Sequence, residues 1–198
     1  MRAERLQITL GASCNNNCIF CMEDDRQERY NRISSITRED VDSMLDEKKH
    51  LGEVIFTSGE PTLNPDLTDY ISMAKAKNYR TVGLITNGRR MSYWDYCLKL
   101  LDSGVNHITV SLHSTDEKIH ESLTRTRGSY KQTINAIMNL EFLKRKRRFK
   151  LNISIVANRW NLPNLEKDLL ELSALNTDTI VLNPLVPLGG GRRFMDEL

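Results

Sequence analysis

Short apolar segments alternate with longer segments of helical period along most of this chain. The apolar segments are rich in β-branched residues and predict six strands, at residues 5–10, 53–57, 81–86, 107–112, 150–156 and 179–183. The longer segments predict helices at residues 38–51, 67–78, 92–103, 128–148 and 163–175. This alternation indicates an α/β fold in which parallel strands are joined by right-handed crossovers with helices outside the sheet.

Polar residues follow one face of two predicted strands. Thr109, Ser111 and His113 alternate with apolar residues in the fourth strand, and Asn152 and Ser154 do so in the fifth. A parallel sheet covered by helices on both sides is expected to be apolar on both faces, whereas a barrel-type active site needs polar groups at the carboxyl ends of its strands. The pattern therefore favours a site at those ends, and leaves open whether the sheet closes.

The composition does not indicate a membrane protein or a nucleic-acid-binding protein. Apolar residues make up 39% of the 198, charged residues 27%, and the formal net charge is +2. No apolar run approaches the roughly 20 residues that a membrane-spanning helix needs. The basic run at residues 144–148 ends a predicted helix, where cations complement the helix dipole, so nucleic-acid binding is not favoured. Residues 1–5 carry no secretory signal, and we expect a cytoplasmic protein with reduced thiols.

Three of the four cysteines lie within eight residues, directly after the first predicted strand. Cys14, Cys18 and Cys21 form a poor disulfide framework because such close spacing strains a bridge and leaves one thiol over. Three thiolates on one loop can instead bind a single inorganic centre, with one ligand fewer than a closed site needs. Cys97 falls on the apolar side of a predicted helix, and we interpret it as a core residue. A zinc loop completed by a distant residue is the alternative.

The cysteine spacing C-x3-C-x2-C, with Phe20 before the last cysteine, resembles the signature of the radical S-adenosylmethionine (radical SAM) enzymes. Residues 58–61, of sequence Ser-Gly-Glu-Pro, resemble that family's Gly-Gly-Glu-Pro motif at the end of the second strand. The six-step β-α rhythm resembles the family's core domain over essentially the whole chain. The resemblance implies a partial (β/α)6 TIM-like barrel of parallel strands, with the last helix missing or short, in a single domain over residues 1–198.

The resemblance also implies two cofactors. Cys14, Cys18 and Cys21 would hold three irons of a 4Fe-4S cluster, and the fourth iron would bind the amino nitrogen and carboxylate of S-adenosylmethionine. An electron from a low-potential donor such as flavodoxin or ferredoxin then cleaves the sulfonium. The products are methionine and a 5′-deoxyadenosyl radical, which abstracts hydrogen from a substrate.

Eight residues are implied to bind the cofactor. They are Phe20 beside the adenine, Ser58, Gly59 where the backbone approaches the ligand, Glu60 at the methionine ammonium, Asn87, Ser111 at the ribose, Arg125 at the methionine carboxylate and Asn158 at the adenosine. From the residues alone, Asn87 and Asn158 are also typical of turns, and Arg125 is also typical of a solvated loop. His113 is either an acid or base near the substrate or a histidine satisfied by a backbone group, and the second is favoured.

The substrate is left open by the sequence. The Ser-Gly-Glu-Pro and Gly-Ser-Tyr segments favour peptide or protein maturation or cofactor biosynthesis, with a small metabolite or nucleotide as the next hypothesis. A non-catalytic protein that binds a cluster or zinc is the alternative from another class. Two features depart from the family: Ser58 replaces a glycine, and no cysteine follows Cys97. The chain is therefore expected to be either a minimal enzyme or a truncated or partner-dependent form.

Overall fold

The computed structural model describes residues 4–23, 36–57 and 59–198. The strands of this part of the chain are β1 Leu6–Thr9, β2 Glu53–Thr57, β3 Thr81–Thr86, β4 His107–Ser111, β5 Lys150–Ala157 and β6 Thr179–Pro184. The α-helices are α1 Arg38–Glu47, α2 Leu67–Ala76, α3 Trp94–Asp102, α4 Glu117–Thr124, α5 Ser129–Lys144, α6 Leu165–Ser173 and α7 Gly189–Arg193. Short 3-10 helices lie at Lys49–Leu51, Pro61–Leu63, Arg89–Ser92 and Leu162–Asn164.

The six strands form one parallel sheet in chain order, from β1 to β6. The register places Ile8 beside Phe56 and Leu84 beside Ile108. The sheet is open, because β1 and β6 pair with only one neighbour each. All six predicted strands are thus confirmed to within two residues at each end, and so is the predicted α/β partial TIM-like barrel. Since parallel strands end at the same edge, the loops after them converge on one opening.

The predicted helices are confirmed with shorter ends. Helix α1 begins as expected after Thr37, whose hydroxyl accepts a hydrogen bond from Asp40 N at 3.1 Å. The Asp40 carboxylate in turn accepts one from Thr37 N at 2.9 Å, which completes a capping box. Such a cap stabilises a helix by about 1 kcal/mol.

One helix was missed by the prediction, and the last helix agrees with it. Helix α4 was not predicted, because it has only eight residues and its apolar positions are limited to Ile119 and Leu123. Its start is fixed by Asp116, whose Oδ1 accepts hydrogen bonds from Lys118 N at 2.8 Å and Ile119 N at 3.1 Å. Helix α7 has five residues and follows β6, so the last helix is short rather than missing.

The two faces of the sheet have different environments. On the outer face, Ile108, Val110 and Ile153 are fully buried and pack with Ile137 and Leu140 of α5 in one hydrophobic core. On the inner face, the predicted polar positions of β4 and β5 are buried or half-buried side chains that line the concave side, namely Thr109, Ser111, Asn152 and Ser154. The helices described here are all too short or too polar to cross a lipid bilayer. The fold therefore presents a polar opening at the carboxyl ends of its strands.

Candidate functional site

The cysteine loop, residues 11–22, follows β1 at the carboxyl edge of the sheet. Cys14, Cys18 and Cys21 are half-buried. Asn16 N donates to Cys14 Sγ at 3.4 Å, and Cys21 N donates to Cys18 O at 3.1 Å, which closes a turn between two cysteines. Within the described ranges, no three His, Cys, Asp or Glu side chains already stand as a group that could hold a metal ion.

Backbone hydrogen bonds hold the second half of the cysteine loop. Asn17 N donates to Thr124 O at 3.0 Å and Ile19 N to Leu123 O at 2.9 Å, so the loop is attached to the last turn of α4. Gly190 N of α7 donates to Cys21 O at 2.7 Å. A side chain at Gly190 would collide with the carbonyl group of Ile19, so glycine is required for this close approach. The unpredicted helix α4 and the short helix α7 thus position the loop.

Glu60 lies three residues after β2, and its side chain is only 2% exposed. Its Oε1 accepts hydrogen bonds from Thr62 N at 3.1 Å, Thr62 Oγ1 at 2.6 Å and Thr86 Oγ1 at 2.6 Å. Its Oε2 accepts one from Asn87 N at 2.7 Å. Burial raises the pKa of Glu60, although the four hydrogen bonds oppose that rise. The carboxylate is therefore held in one position by the ends of two neighbouring strands.

Gly59 brings the backbone beside Glu60 against the cysteine loop. It has a positive φ of 52°, and a Cβ there would lie 2.5 Å from the carbonyl oxygen of Ser13. The same carbonyl accepts a hydrogen bond from Glu60 N at 2.7 Å, and Gly59 N donates to Glu23 Oε2 at 3.2 Å. Only glycine fits this position, and its close approach is to the cysteine loop. The predicted approach of this backbone to the ligand remains a prediction. Ser58 lies outside the described residues.

Asn87 connects Glu60 to the cysteine loop. Its backbone N–H donates to Glu60, its Nδ2 donates to Asn15 Oδ1 at 2.7 Å, and its Oδ1 accepts from Arg89 N at 3.0 Å. The last bond is an Asx turn, so the asparagine has the turn function as well as contacts at the candidate site. The prediction that Asn87 also reaches the cofactor remains a prediction.

Phe20 and His113 lie together between the cysteine loop and the end of β4. Phe20 is buried, and its ring meets the His113 ring edge-on with centroids 4.6 Å apart. His113 Nδ1 accepts from Val156 N at 3.3 Å, and His113 N donates to His120 Nδ1 at 3.2 Å. Burial lowers the pKa of His113 to about 3 and that of His120 to about 4. The backbone partner favoured from the sequence is thus present, and both histidines are neutral near pH 7.

The three predicted residues on the β4–β6 side have separate surroundings. Ser111 is the last residue of β4 and is half-buried on the concave face. Arg125 ends α4 in a left-handed conformation, and its guanidinium lies 5.6 Å from the centre of the Phe194 ring. Asn158 is buried, and its Nδ2 donates to Val156 O at 3.0 Å while its Oδ1 accepts from Trp160 N at 3.0 Å. Arg125 and Asn158 therefore have structural partners, and their cofactor contacts stay predictions.

Sequence reasoning missed several residues of this site. Thr62 and Thr86 hold the carboxylate of Glu60, and Arg89 contacts Asn15 and Asn16 on the cysteine loop. The run of three asparagines between Cys14 and Cys18 was a usable signal, because amide side chains at such a place require partners.

The chain is similar to known proteins in sequence and in fold. A sequence model of the Radical SAM superfamily matches residues 8–156. A relative named "Probable GTP 3′,8-cyclase" from Saccharolobus islandicus (strain M.14.25 / Kamchatka #1) is 32% identical over 198 residues. The match covers 98% of this chain and 61% of the relative, so the chain spans about three fifths of that protein's length.

Two solved structures resemble the fold. Methylornithine synthase (PylB) matches with a TM-score of 0.71 at 17% identity, over 94% of this chain and 54% of the other. Native anSMEcpe with bound AdoMet and a peptide matches with a TM-score of 0.68 at 16% identity, over 92% and 52%. At these identities the likeness establishes the architecture. The match to the family model shows that this chain belongs to the radical SAM superfamily, whose enzymes use a 4Fe-4S cluster and S-adenosylmethionine.

Proposed function

We propose that this chain forms the part of a radical SAM enzyme that cleaves S-adenosylmethionine reductively and directs the radical to a nucleotide substrate. The observation that carries this proposal is the buried carboxylate of Glu60, which β2 and β3 hold in place and Asn87 links to the cysteine loop. A buried carboxylate next to a thiol-rich loop can pair with the cationic amino group of a ligand bound there.

The donor set fits a 4Fe-4S cluster. Cys14, Cys18 and Cys21 offer three thiolates on one loop, and Asn16 N–H is already directed at Cys14 Sγ. Hydrogen bonds to cysteine sulfur are among the interactions that set a cluster's reduction potential. When bound by these residues, the cluster supplies the electron for cleavage of the sulfonium.

The reaction balances with one external electron. A low-potential donor supplies it, the bond between sulfur and the 5′ carbon breaks, and methionine is released. The 5′ carbon keeps one unpaired electron and takes a hydrogen atom from a substrate C–H bond. 5′-Deoxyadenosine and a substrate radical result.

Glu60 is suited to orient the methionine end. Its Oε1 already accepts three hydrogen bonds, whereas Oε2 accepts one. A carboxylate offers about two lone-pair sites per oxygen, so Oε2 is the atom with capacity for an ammonium donor. Because the carboxylate is almost fully buried, an ammonium there gains more electrostatic energy than it would in water.

A nucleotide is favoured over a peptide as the substrate. The relatives named as probable GTP 3′,8-cyclases support it, whereas the peptide maturation favoured from the sequence has no support beyond the fold shared with anSMEcpe. The concave face also presents hydroxyl and amide groups on β4 and β5, including Thr109, Ser111, Asn152 and Ser154. Such groups match the hydrogen-bonding edges of a base and a ribose.

Anaerobic reconstitution tests the proposal. We expect a brown protein with close to four irons, which releases 5′-deoxyadenosine from S-adenosylmethionine when a strong reductant is added. With GTP deuterated at the 3′ position, we expect 5′-deoxyadenosine to gain one mass unit. Colourless protein holding one zinc would contradict the enzyme assignment. Deuterium transfer from a peptide and none from GTP would contradict the nucleotide assignment alone.

A further inference from the structure

Arg89 connects three separate parts of the site. It follows the Thr86-Asn87-Gly88 turn after β3, and its Nη1 donates to both Asn15 O and Asn16 Oδ1, the second at 3.0 Å. Its Nε donates to Gln132 Oε1 on α5 at 2.6 Å. One guanidinium thus connects the turn after β3 and helix α5 to the cysteine loop.

The contacts of Arg89 lie between two of the predicted cluster ligands. Asn15 and Asn16 directly follow Cys14, and Asn16 is buried and donates its backbone N–H to Cys14 Sγ. The backbone hydrogen bonds to α4 and α7 hold the part of the loop from residue 17 to residue 21. The first half of the loop accepts a backbone hydrogen bond from Glu60 N at Ser13 O, and the side chains of Arg89 and Asn87 also hold it.

We propose that Arg89 is a positioning residue that fixes the Cys14 side of the cysteine loop for cluster binding and places a positive charge beside it. This inference rests on the ligand assignment of the proposed function. Arg89 acts through Asn15 and Asn16 rather than by contact with substrate or cofactor. Gln132 fixes the direction of the guanidinium, and the planar fork of an arginine lets one side chain serve all three acceptors.

The charge of Arg89 has a separate effect from its geometry. Reduction of a cluster adds one negative charge, and a nearby cation stabilises the reduced form and so raises the potential. The neighbouring Arg90 has a different role, because its Nη1 donates to Thr62 O and its guanidinium lies 4.5 Å from the centre of the Tyr96 ring. The two adjacent arginines are therefore not interchangeable.

Substitutions at Arg89 and Gln132 separate the effect of the arginine's hydrogen-bond geometry from the effect of its charge. Arg89→Gln removes the charge and the fork, Arg89→Lys keeps the charge without the fork, and Gln132→Ala removes the partner that directs the guanidinium. Arg147→Gln is the matched control, since Arg147 pairs with Asp102 at the surface beyond the far end of α5.

The first readout uses the protein without its cluster. Under reducing, metal-free conditions, a thiol reagent should label the loop cysteines about fivefold faster in Arg89→Gln and Arg89→Lys than in the wild type, because the loop opens more often. Gln132→Ala should give a smaller increase and Arg147→Gln none. Labelling of Cys14, Cys18 and Cys21 at the wild-type rate in both Arg89 variants would overturn the positioning role.

The second readout uses the reconstituted protein. The cluster of Arg89→Gln should have a lower midpoint potential than that of the wild type, whereas Arg89→Lys should stay close to the wild type. Equal potentials in the wild type and Arg89→Gln would overturn the charge effect. If the wild type binds no cluster at all, the proposed function fails, while the labelling rates still decide whether Arg89 holds the loop.

Discussion

The carboxyl ends of β1–β3 and those of β4–β6 surround the same opening but are built from different groups. On the β1–β3 side, a buried carboxylate receives four hydrogen bonds, and an arginine holds the cysteine loop. On the β4–β6 side, two neutral histidines bond to backbone groups, and Ser111 and Asn158 complete the strand ends. We infer that the first half holds the cluster and the ammonium of the cofactor's methionine end, while the second faces its nucleoside end and the substrate and offers Arg125 to the methionine carboxylate.

Removing the carboxylate of the first half should have the largest effect. Glu60→Ala deletes the acceptor of four hydrogen bonds in a buried site, and we expect a stability loss of about 3 kcal/mol. Affinity for S-adenosylmethionine should fall about 100-fold, because a charge-assisted hydrogen bond to the ammonium is lost. Urea unfolding and isothermal titration measure the two quantities, and iron content should stay at the wild-type value.

Two further variants serve as controls for this test. Glu60→Gln keeps the volume and one amide oxygen, so it separates loss of charge from loss of packing. Glu39→Gln, at an exposed position in the first turn of α1, is the matched control and should behave as the wild type. Wild-type cofactor affinity in Glu60→Gln and Glu60→Ala would show that the carboxylate has no role in cofactor binding.

The convergence of Glu60 and Asn87 could be predicted, whereas the contacts of Arg89 could not. Glu60 and Asn87 follow strands recognisable by their β-branched residues, and the carboxyl ends of adjacent parallel strands must meet at one edge. Arg89 reaches residues more than 70 positions earlier through a long side chain, whose direction depends on Gln132 of α5. No local pattern in the sequence encodes such a contact.

The β4–β6 side was predicted less well for a related reason. Arg125 has a left-handed φ of 50° because it ends α4, a helix of only eight residues that was not predicted. Asn158 bonds to its own loop, as turn asparagines do, and the sequence could not decide between this use and a ligand contact. The contacts of residues at strand ends could therefore be predicted, whereas those of residues placed by a short helix or a turn could not.

Glycine substitutions probe how closely the β1–β3 side is packed. Gly59→Ala combines a positive φ with a collision against Ser13 O, and we expect a stability loss of about 2.5 kcal/mol. Gly128→Ala, on the β4–β6 side before α5, has a φ of 78° but nothing within 4 Å of the added carbon. It should lose only about 1 kcal/mol, from backbone strain alone. Equal losses in the two variants, measured by urea unfolding, would contradict the close approach at Gly59.

Lowering the pH should destabilise the folded protein first through the two buried histidines on the β4–β6 side. The pKa values of His113 and His120, about 3 and about 4, lie below the ordinary histidine value near 6.5, so the unfolded chain binds more protons between these values. Their contribution to stability is complete above pH 6.5 and is lost as the pH falls. The raised pKa of Glu60 acts in the opposite direction, because protonation of that buried carboxyl favours the folded state at low pH.

His120→Asn isolates the histidine effect, since Glu60 is present in both proteins. Removing this histidine should reduce the fall of the unfolding free energy between pH 6 and pH 5 by about 1.2 kcal/mol. The asparagine can still accept a hydrogen bond from His113 N. His50→Asn, at an exposed position in the 3-10 helix after α1, is the matched control variant. A slope equal to that of the wild type in His120→Asn would show that His120 titrates normally in the folded protein.

The smallest effect is expected for Cys97→Ala, which we compare with a substitution in the cysteine loop on the same β1–β3 side. Cys97 on α3 is fully buried, its Sγ donates to Met91 O at 2.9 Å, and burial raises its pKa to about 12, so it stays a protonated core residue. Cys97→Ala should cost about 1 kcal/mol through the small cavity, as measured by urea unfolding, and reconstituted iron should equal that of the wild type. Cys18→Ala, on the half-buried loop, should instead abolish the stable cluster with little loss of stability in the metal-free protein. Iron loss in Cys97→Ala would mean that the thiol of α3 supplies a cluster ligand. Cys97 would then belong to the site on the β1–β3 side and not to the hydrophobic core.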